Sequence, residues 1–360
     1  MDQARSLICI PDISGFTHFI QKTEISHSKH IISELLQIII NSNELDLKVA
    51  EVEGDAVFFY RKDFIPKPGE LSDQIKIMFL NFHAHLKNYE YYRICHCGAC
   101  STASNLSLKF IVHLGTFDFT RINKRNKPYG KDVILAHRLL KNNIDHSEYL
   151  LLTDNMSEVF PLDSPVLKNE FKEIFKGSTN YKELGKISYR YILLTPLHDE
   201  VRDLPTKVHP FKHKNPVRFS GLINAPKEKI YEIASNLEFR ANINRDASEI
   251  NYELERVNRV GFVHECVISN RNYRIQTVSN DFGTNKLVYG ELVERTFVAR
   301  KMYTYTILED HESGTRLQYE VHFEPIALIT WILSPLIRLM LHYRLKKLFI
   351  QLREFSEGTE

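Results

Sequence analysis

The chain has 360 residues, of which 43% are hydrophobic and 26% charged, with a formal net charge of +2. This length suits two domains that each bury a core, and the balanced charge excludes a global attraction to nucleic acid. The five cysteines are an odd number and no apolar leader opens the chain, which predicts a reduced, cytoplasmic environment. The apolar stretch 325–341 is interrupted by Pro335 and Arg338, so we expect no membrane-spanning helix.

The first half of the chain alternates between strand-like and helix-like patterns. The run from Leu7 to Phe19 predicts a buried strand ending at Asp12, a turn through Ser14 and Gly15, and then a helix. The later patterns predict a helix over 30–40, a hairpin over 47–60, a helix over 71–86, a strand over 106–114, a basic arm at 121–127, a loop and helix over 129–140, a strand over 149–153 and a hairpin over 182–194. Helices mixed with antiparallel hairpins indicate an α+β class.

The pattern changes after a segment that carries four prolines. Residues 196–216 mix these prolines with charges and histidines, which predicts a linker and a domain boundary. Beyond it we expect a strand over 217–224, helices over 226–235 and 237–243, strands over 249–256, 260–269, 273–280, 286–295, 298–310 and 316–323, and a long helix over 326–355.

Four segments of the first half resemble class III adenylyl and guanylyl cyclases. In chain order they are DISGFT from Asp12, EVEGDA from Glu51, HLGT from His113 and YGKDVILAHRL from Tyr129. The resemblance covers residues 5–195 and implies a ferredoxin-like cyclase domain that works as a homodimer. It also implies a nucleoside triphosphate as substrate, a pair of Mg²⁺ or Mn²⁺ ions, and a cyclic nucleotide and pyrophosphate as products.

The resemblance assigns a role to each matching residue of the site. The implied metal ligands are Asp12 and Asp55, the triphosphate loop is Ile13, Ser14, Gly15, Phe16 and Thr17, the purine-reading positions are Glu51 and Lys127, the transition-state arginine is Arg138, and a phosphate-binding lysine is Lys186. Two positions depart from the family. Ile134 replaces the transition-state asparagine, and Lys127 fits neither usual purine partner, so it is expected to form an ion pair with Glu51.

Each of these residues also has an ordinary structural interpretation. An aspartate at a strand end is commonly a turn or cap residue, and an arginine on a helix is commonly a surface ion-pair former. The sequence therefore allows two functions for residues 5–195. The first is a divergent, metal-dependent cyclase, and the second is a degenerate cyclase fold kept for dimerisation or nucleotide binding.

A cysteine cluster precedes the strand over 106–114. Cys95, Cys97 and Cys100 could bind a structural Zn²⁺ ion, with His96 or His113 as the fourth ligand. The alternative is a loop with reduced thiols. Cys9 and Cys266 each lie inside a strand pattern and are predicted to be core residues.

The element order of residues 217–356 is similar to the START-like superfamily, also called SRPBCC, polyketide cyclase or Bet v 1-like. This resemblance implies a helix-grip fold with an apolar cavity for a hydrophobic small molecule or lipid. The candidate lining residues, which could equally be plain core, are Met302, Trp331, Leu339 and Met340. The second half of the terminal helix is basic and amphipathic, which allows peripheral contact with an anionic membrane or simply a solvated face.

Overall fold

The structure is a computed structural model of the full chain. It describes residues 4–23, 25–91, 94, 98–122, 125–157, 159, 161, 173–202, 215–244, 247–251, 258–268, 270–280, 282–283, 285–296, 298–326 and 332–358. The chain divides into two compact units, one of Met1–Tyr91 and Gly98–Leu204 and the other of Tyr92–Cys97 and Pro205–Glu360. The break between Leu204 and Pro205 lies inside the proline-containing segment 196–216.

The first unit is a mixed α+β domain built on a seven-stranded sheet. Its strands are β1 Ser6–Ser14, β2 Lys48–Glu53, β3 Ala56–Arg61, β4 Ser107–Gly115, β5 Asp118–Ile122, β6 Arg125–Tyr129, β7 Tyr149–Thr153, β8 Ile174–Tyr181 and β9 Gly185–Leu193. Its helices are α1 Phe16–Lys22, α2 Ile25–Asn41, α3 Pro68–Tyr91, α4 Gly98–Thr102 and α5 Lys131–Leu139. The sheet order is β2-β3-β1-β4-β7-β9-β8, and β5 pairs with β6 in a separate ribbon.

The central strand β1 explains why the opening of the chain is so apolar. It is flanked by β3 and β4, both antiparallel to it, and its residues from Ser6 to Ile13 are buried. Ile8 and Ile10 pack in one cluster with Ala136 and Leu139 of α5. A strand that is covered on both faces needs apolar residues at successive positions rather than alternate ones. The predicted strand and the helix after it are confirmed.

The structure corrects two predictions for the first unit. The predicted hairpin over 182–194 contains only a turn and the second strand, because the hairpin consists of β8 and β9 joined by residues 182–184. The basic arm at 121–127 takes part in the β5–β6 ribbon, in which Asp118 pairs with Tyr129. Apart from Phe119, which packs on Tyr60, the ribbon is largely polar and lacks the hydrophobic alternation by which strands are recognised.

Gly115, at the end of β4, makes room for a buried carboxylate. A Cβ atom at this position would lie 2.5 Å from the Cβ atom of Asp132 in α5. Asp132 Oδ2 accepts a hydrogen bond from the Thr116 backbone N–H at 2.7 Å, and its Oδ1 lies 3.4 Å from His113 Nε2. The glycine of the HLGT segment is therefore required by the close approach of α5 to β4.

We expect Gly115→Ala to lower the free energy of unfolding by about 2 kcal/mol, because the added methyl group must displace Asp132. Thermal or urea unfolding measures this change. Gly69→Ala is the matched control, since Gly69 lies in the first turn of α3 with no atom within 4 Å of its added Cβ. That variant should be neutral or stabilising by about 0.5–1 kcal/mol. Equal stability of Gly115→Ala and wild type would contradict this account of the glycine.

The second unit is a seven-stranded antiparallel sheet with a long helix. Its strands are β10 Val217–Ile223, β11 Ala247–Asn251, β12 Val263–Ile268, β13 Arg271–Val278, β14 Leu287–Glu294, β15 Ala299–His311 and β16 Gly314–Pro325. Its helices are α6 Lys227–Ser235, α7 Arg240–Ile243 and α8 Ser334–Gly358. The sheet order is β10-β16-β15-β14-β13-β12-β11. This element order agrees with the strands and helices expected for 217–355, although β11 is described only to Asn251.

Helix α8 packs on β10 through one face only. Ile337, Leu341 and Leu345 are buried on this face, and the Phe349 ring lies 5.2 Å from that of Phe219 in β10. Gly221 permits this packing, because a Cβ atom there would collide with the Phe349 ring. None of the helices within the described residues is long and apolar enough to cross a membrane.

Three of the four candidate lining residues of the second unit are described, and two of these, Leu339 and Met340, face away from the core. Leu339 is 68% exposed and Met340 39% exposed, so both lie on the face of α8 that points away from the core. Met302 packs at the edge of a core cluster that contains Cys266 and Ile275. Trp331 lies outside the described residues. The expectation that Leu339 and Met340 line an interior cavity is corrected, because the opposite face of the helix meets β10.

Candidate functional site

A cleft of about 790 Å³ lies where β1 ends. Its lining includes the two predicted metal ligands and the whole predicted triphosphate loop: Asp12, Ile13, Ser14, Gly15, Phe16, Thr17, His18, Asp55, Lys109, Ile144, Asp145, His146 and Ser147. Residues from four separate segments therefore meet at one opening of the first unit.

Local backbone geometry brings Asp12 and Asp55 to the same cleft. The Ile13 N–H donates a hydrogen bond to the Asp55 carbonyl oxygen at 3.0 Å, which fixes the β2–β3 turn against the end of β1. Gly15 then reverses the chain with φ of 87°, a conformation that side-chain-bearing residues rarely adopt. The Ser14 hydroxyl donates to the Ser147 carbonyl at 2.8 Å, which ties this turn to the segment before β7.

Among the described residues that line the cleft, Lys109 of β4 is the one lysine or arginine. It lies directly across from Asp12 in the β1–β4 register, and its Nζ is 2.9 Å from Asp12 Oδ2. Both side chains are more than four-fifths buried. Burial lowers the pKa of Lys109, but attraction to Asp12, with smaller contributions from neighbouring groups, outweighs this and leaves the pKa raised. The ammonium group is therefore held in its charged form.

Asp55 interacts electrostatically with both members of this ion pair. Its pKa is raised, first by burial of the carboxylate and second by repulsion from Asp12. Two carboxylates at one cleft form an all-oxygen donor set, which is the kind that Mg²⁺ and Mn²⁺ prefer. The residues present therefore fit a divalent cation at Asp55, with Lys109 already occupying one side of Asp12.

The two predicted purine-reading residues contact each other. Lys127 Nζ lies 2.6 Å from Glu51 Oε2, which confirms the expected ion pair. The hydrogen bond from Lys127 lowers the pKa of Glu51, whereas burial and then the neighbouring Glu51 raise the pKa of Glu53. His137 completes the cluster, with Nδ1 3.5 Å from Glu53 Oε2 and its ring stacked on Phe58. This polar cluster does not share the Asp12 cleft.

The remaining predicted residues also lie away from the Asp12 cleft in one copy of the chain. Arg138 is exposed on α5, with its guanidinium 3.6 Å from Glu183. Ile134, on the same helix, is 51% exposed. Lys186 pairs with Asn180 across the β8–β9 hairpin and lines a different cleft that also contains Lys176. The structure thus groups the metal and loop residues but leaves Arg138 and Lys186 apart from them.

The cysteine predictions have two outcomes. Cys9 and Cys266 are buried free cysteines, as expected for core positions, and burial raises the pKa of the Cys9 thiol to about 12. Cys95, His96 and Cys97 lie outside the described residues, so the zinc cluster stays a prediction. Cys100 is buried, with Sγ 3.7 Å from His27 Nδ1.

The described contacts of His113 lie inside the first unit. Its Nδ1 lies 2.8 Å from the Thr153 hydroxyl, and its Nε2 faces Asp132 at 3.4 Å. Both ring nitrogens are thus directed at the interior of the first unit. Because Cys95 and Cys97 lie outside the described residues, His113 as the fourth zinc ligand stays a prediction.

Lys109 and the segment from Ile144 to Ser147 line the cleft but were not predicted as site residues. Lys109 is a charged residue within the otherwise apolar strand 106–114, and such an interruption is a signal that a buried partner exists. Asp145 and His146 stand together just before β7, where nothing local distinguishes them from an ordinary polar loop. Only the pairing of β1 with β4 and the Ser14–Ser147 hydrogen bond place them beside Asp12.

The first unit is thus an α+β domain with an acidic, lysine-bridged cleft at the end of its central strand. A family described as "Protein of unknown function (DUF2652)" matches residues 32–149. The "Uncharacterized protein Rv2561/Rv2562" of Mycobacterium tuberculosis is 32% identical over 165 residues, which cover 43% of this chain and 74% of that protein. The chain belongs to the same family as Rv2561/Rv2562.

Solved structures of cyclase domains are similar to this chain over about half its length. The adenylyl cyclase CyaB from P. aeruginosa is 15% identical with a TM-score of 0.38, covering 56% of this chain and 97% of that chain. The catalytic core of a rhodopsin-guanylyl cyclase in complex with ATPalphaS is 13% identical with a TM-score of 0.38, covering 53% and 96%. Because both TM-scores lie below 0.5, neither likeness establishes the fold or function of this chain.

Proposed function

We propose that the first unit binds a nucleoside triphosphate together with Mg²⁺ or Mn²⁺ and, as a homodimer, converts it to a cyclic nucleotide and pyrophosphate. One observation carries the proposal. Both predicted metal ligands, Asp12 and Asp55, and all five residues of the predicted triphosphate loop line a single cleft. The match of four sequence segments in one order with the class III cyclases supports the same assignment.

The chemistry required is an attack of the ribose 3′-oxygen on the α-phosphate, with pyrophosphate as the leaving group. A bound divalent cation supplies charge neutralisation at the attacking and leaving oxygens. Asp12 and Asp55 would hold this cation, and the backbone at 13–17 would position the phosphates. Lys109 Nζ lies 2.9 Å from Asp12 Oδ2 and fixes the position of this carboxylate in the cleft.

The homodimer is part of the proposal because one copy does not assemble the site. Arg138 and the Glu51–Lys127 pair do not line the Asp12 cleft. A second copy that contributed its Arg138 would place a cation beside the developing phosphate charge. Ile134 cannot donate a hydrogen bond to the ribose, so turnover is expected to be slow even where binding is tight.

The test uses purified full-length protein with Mn²⁺ and either ATP or GTP. Cyclic nucleotide is quantified by mass spectrometry, and nucleotide affinity is measured by calorimetry in the same buffer. Product with either nucleotide supports the cyclase function, and binding without product supports the degenerate form of the domain. Absence of both binding and product overturns the proposal.

A second candidate function, binding to an anionic lipid surface, is favoured by the exposed side of α8. Exposed apolar side chains of this helix and of the two residues before it form what we call the α8 stripe: Ile332, Leu333, Leu336, Leu339, Met340 and Tyr343. Leu336, Leu339 and Tyr343 are each more than 60% exposed. The adjacent turn carries Arg344, Lys346 and Lys347, and the sequence has no acidic residue from Ser334 to Arg353.

An apolar stripe beside basic residues is the pattern of a helix that lies in a membrane interface. The element order of the second unit also supports the START-like assignment of 217–356, whose members bind hydrophobic molecules. The α8 stripe favours a lipid surface over an enclosed cavity as the site of that contact. In this alternative the first unit serves dimerisation, and the second unit is the working part.

We expect the protein to sediment with vesicles that contain phosphatidylserine and not with pure phosphatidylcholine vesicles. Leu339→Asp should lower the partition coefficient roughly tenfold, because it removes an inserting leucine and adds a repelled charge. Ile65→Asp is the control, since Ile65 is a similarly apolar exposed residue of the first unit. The function would be excluded if the wild-type protein did not bind anionic vesicles. It would also be excluded if Leu339→Asp bound them as well as Ile65→Asp does.

A further inference from the structure

A second polar site lies inside the first unit, built from residues that the proposed nucleotide chemistry does not use. His83 belongs to α3, Glu148 immediately precedes β7, and His198 lies in the short 3₁₀ segment Thr195–Glu200. One ligand atom from each of these three side chains lies within 4.8 Å of the other two. Two imidazole nitrogens and one carboxylate thus converge on a single point from three elements.

The distances match those around a tetrahedral metal ion. Glu148 Oε1 lies 3.3 Å from His83 Nε2, and Glu148 Oε2 lies 2.9 Å from His198 Nε2. Nitrogen and oxygen ligands at the usual 2.0–2.1 Å from a tetrahedral Zn²⁺ lie about 3.3 Å from one another. A zinc ion can therefore enter this group with small side-chain adjustments.

His83 provides an independent sign that a ligand belongs here. The residue is 93% buried, and among the described residues its Nε2 atom forms no hydrogen bond, although it points towards Glu148. Buried polar atoms nearly always have a hydrogen-bond partner. One without such a partner indicates that a ligand, such as an ion, belongs beside it. A metal ion at the convergence point would accept the lone pair of this nitrogen.

The surroundings orient the two imidazoles and leave one side open. The Phe79 ring packs against both, with its centroid 4.3 Å from the ring of His83 and 5.3 Å from that of His198. The His198 side chain is 41% exposed, whereas those of His83 and Glu148 are almost fully buried. Solvent can therefore reach the site from the His198 side and supply a fourth ligand.

We propose that His83, Glu148 and His198 bind a Zn²⁺ ion, with water as the fourth ligand. Two imidazoles and a carboxylate form a donor set that zinc commonly takes in proteins. The bound ion would link the 3₁₀ segment to α3, because His198 belongs to the former and His83 to the latter. Two flanking contacts already join these elements, the Lys76–Glu200 ion pair at 2.7 Å and the hydrogen bond from Lys87 Nζ to the Val201 carbonyl.

One zinc ligand, Glu148, directly follows in sequence the segment 144–147 that lines the Asp12 cleft. Ser147, whose carbonyl accepts the Ser14 hydrogen bond, is the residue before Glu148. Zinc binding at Glu148 would thus restrict the motion of the segment 144–147 that lines the cleft. The zinc site itself does not depend on the proposed nucleotide function, because its ligands are different residues.

The experiment is a Zn²⁺ titration of full-length protein that has been stripped with a chelator and returned to metal-free buffer. Competition with a chromophoric chelator gives stoichiometry and affinity, and Co²⁺ substitution reports four-coordinate geometry through its visible spectrum. We expect tight binding of one ion at this site and a rise in melting temperature of about 5 °C or more. Nucleotide is absent throughout, so the result is separate from any cyclase assay.

Variants identify the ligands. His198→Ala and Glu148→Gln should each weaken zinc binding at this site about 100-fold or more, since losing a ligand costs more than losing a residue that only hydrogen-bonds to a ligand. His198 is partly exposed, so its variant keeps the fold even where a change at His83 does not. His311→Ala is the control for a partly exposed histidine outside the site, and the double variant Cys95→Ser, Cys97→Ser separates zinc bound by the cysteine cluster. Undiminished binding in both His198→Ala and Glu148→Gln would overturn the proposal.

Discussion

Replacement of Asp55 with asparagine is expected to weaken the binding of a Mn²⁺–nucleotide complex by about 100-fold or more and to remove cyclic nucleotide formation. The amide keeps the size of the side chain but loses the charge that a divalent cation requires. The structural contact of Asp55 is made by its backbone carbonyl with Ile13, and this contact survives the substitution. Calorimetry with Mn²⁺–ATP and Mn²⁺–GTP measures the change.

The matched control for this prediction is Asp73→Asn on the exposed side of α3. It makes the same chemical change in the same unit, outside the lining of the cleft. Its affinity for nucleotide should equal that of wild type. If Asp55→Asn also binds as wild type does, Asp55 is a turn residue and the cation site does not exist.

Replacement of Lys109 with methionine is expected to destabilise the metal-free protein by about 3 kcal/mol. The substitution leaves Asp12 as a buried carboxylate without its cation, beside Asp55, and an uncompensated buried charge of this kind is strongly unfavourable. Added Mg²⁺ or Mn²⁺ should recover a large part of the loss, because the metal ion takes the place of the ammonium group. Thermal unfolding with chelator and with added cation measures both effects.

The pH dependence of this variant has a definite sign. Burial and repulsion from Asp12 already raise the pKa of Asp55, and the variant removes the attraction to Lys109 that lowers it, so the folded protein binds a proton at Asp55 more readily than the unfolded chain does. The loss in the free energy of unfolding is therefore fully present at neutral pH. It becomes smaller as the pH falls and one carboxylate is protonated. Lys22→Met, at an exposed position of α1, should show neither the loss nor the cation response. A variant at Lys109 that is as stable as wild type in chelator would contradict the buried ion pair.

Local patterns were sufficient to predict the part of the site that is made by local structure. The strand that ends at Asp12, the turn through Gly15 and the hairpin that carries Asp55 are each set by a few neighbouring residues. Lys109 was missed because its position opposite Asp12 depends on a strand pairing between segments about 95 residues apart. Nothing in either segment alone specifies that register.

The rotation of α8 was equally hard to predict. The first half of this helix is apolar on nearly every side, so its hydrophobic pattern does not select the face that meets the sheet. Leu339 and Met340 were assigned to the interior on composition, whereas Ile337 and Leu341 occupy that face. The choice is made by tertiary packing, in which the Phe349 ring approaches the backbone at Gly221.

The central position of β1 has a consequence for how the chain is made. Its neighbours are β3, which follows within about 50 residues, and β4, whose pairing joins Ser6 to Gly115. During synthesis, one edge of this buried strand therefore stays unpaired while roughly 100 further residues are added, on the order of 5–20 s at ordinary elongation rates. Such an edge is open to pairing with other chains. Nascent chains of this protein should need protection by a chaperone until β4 has emerged.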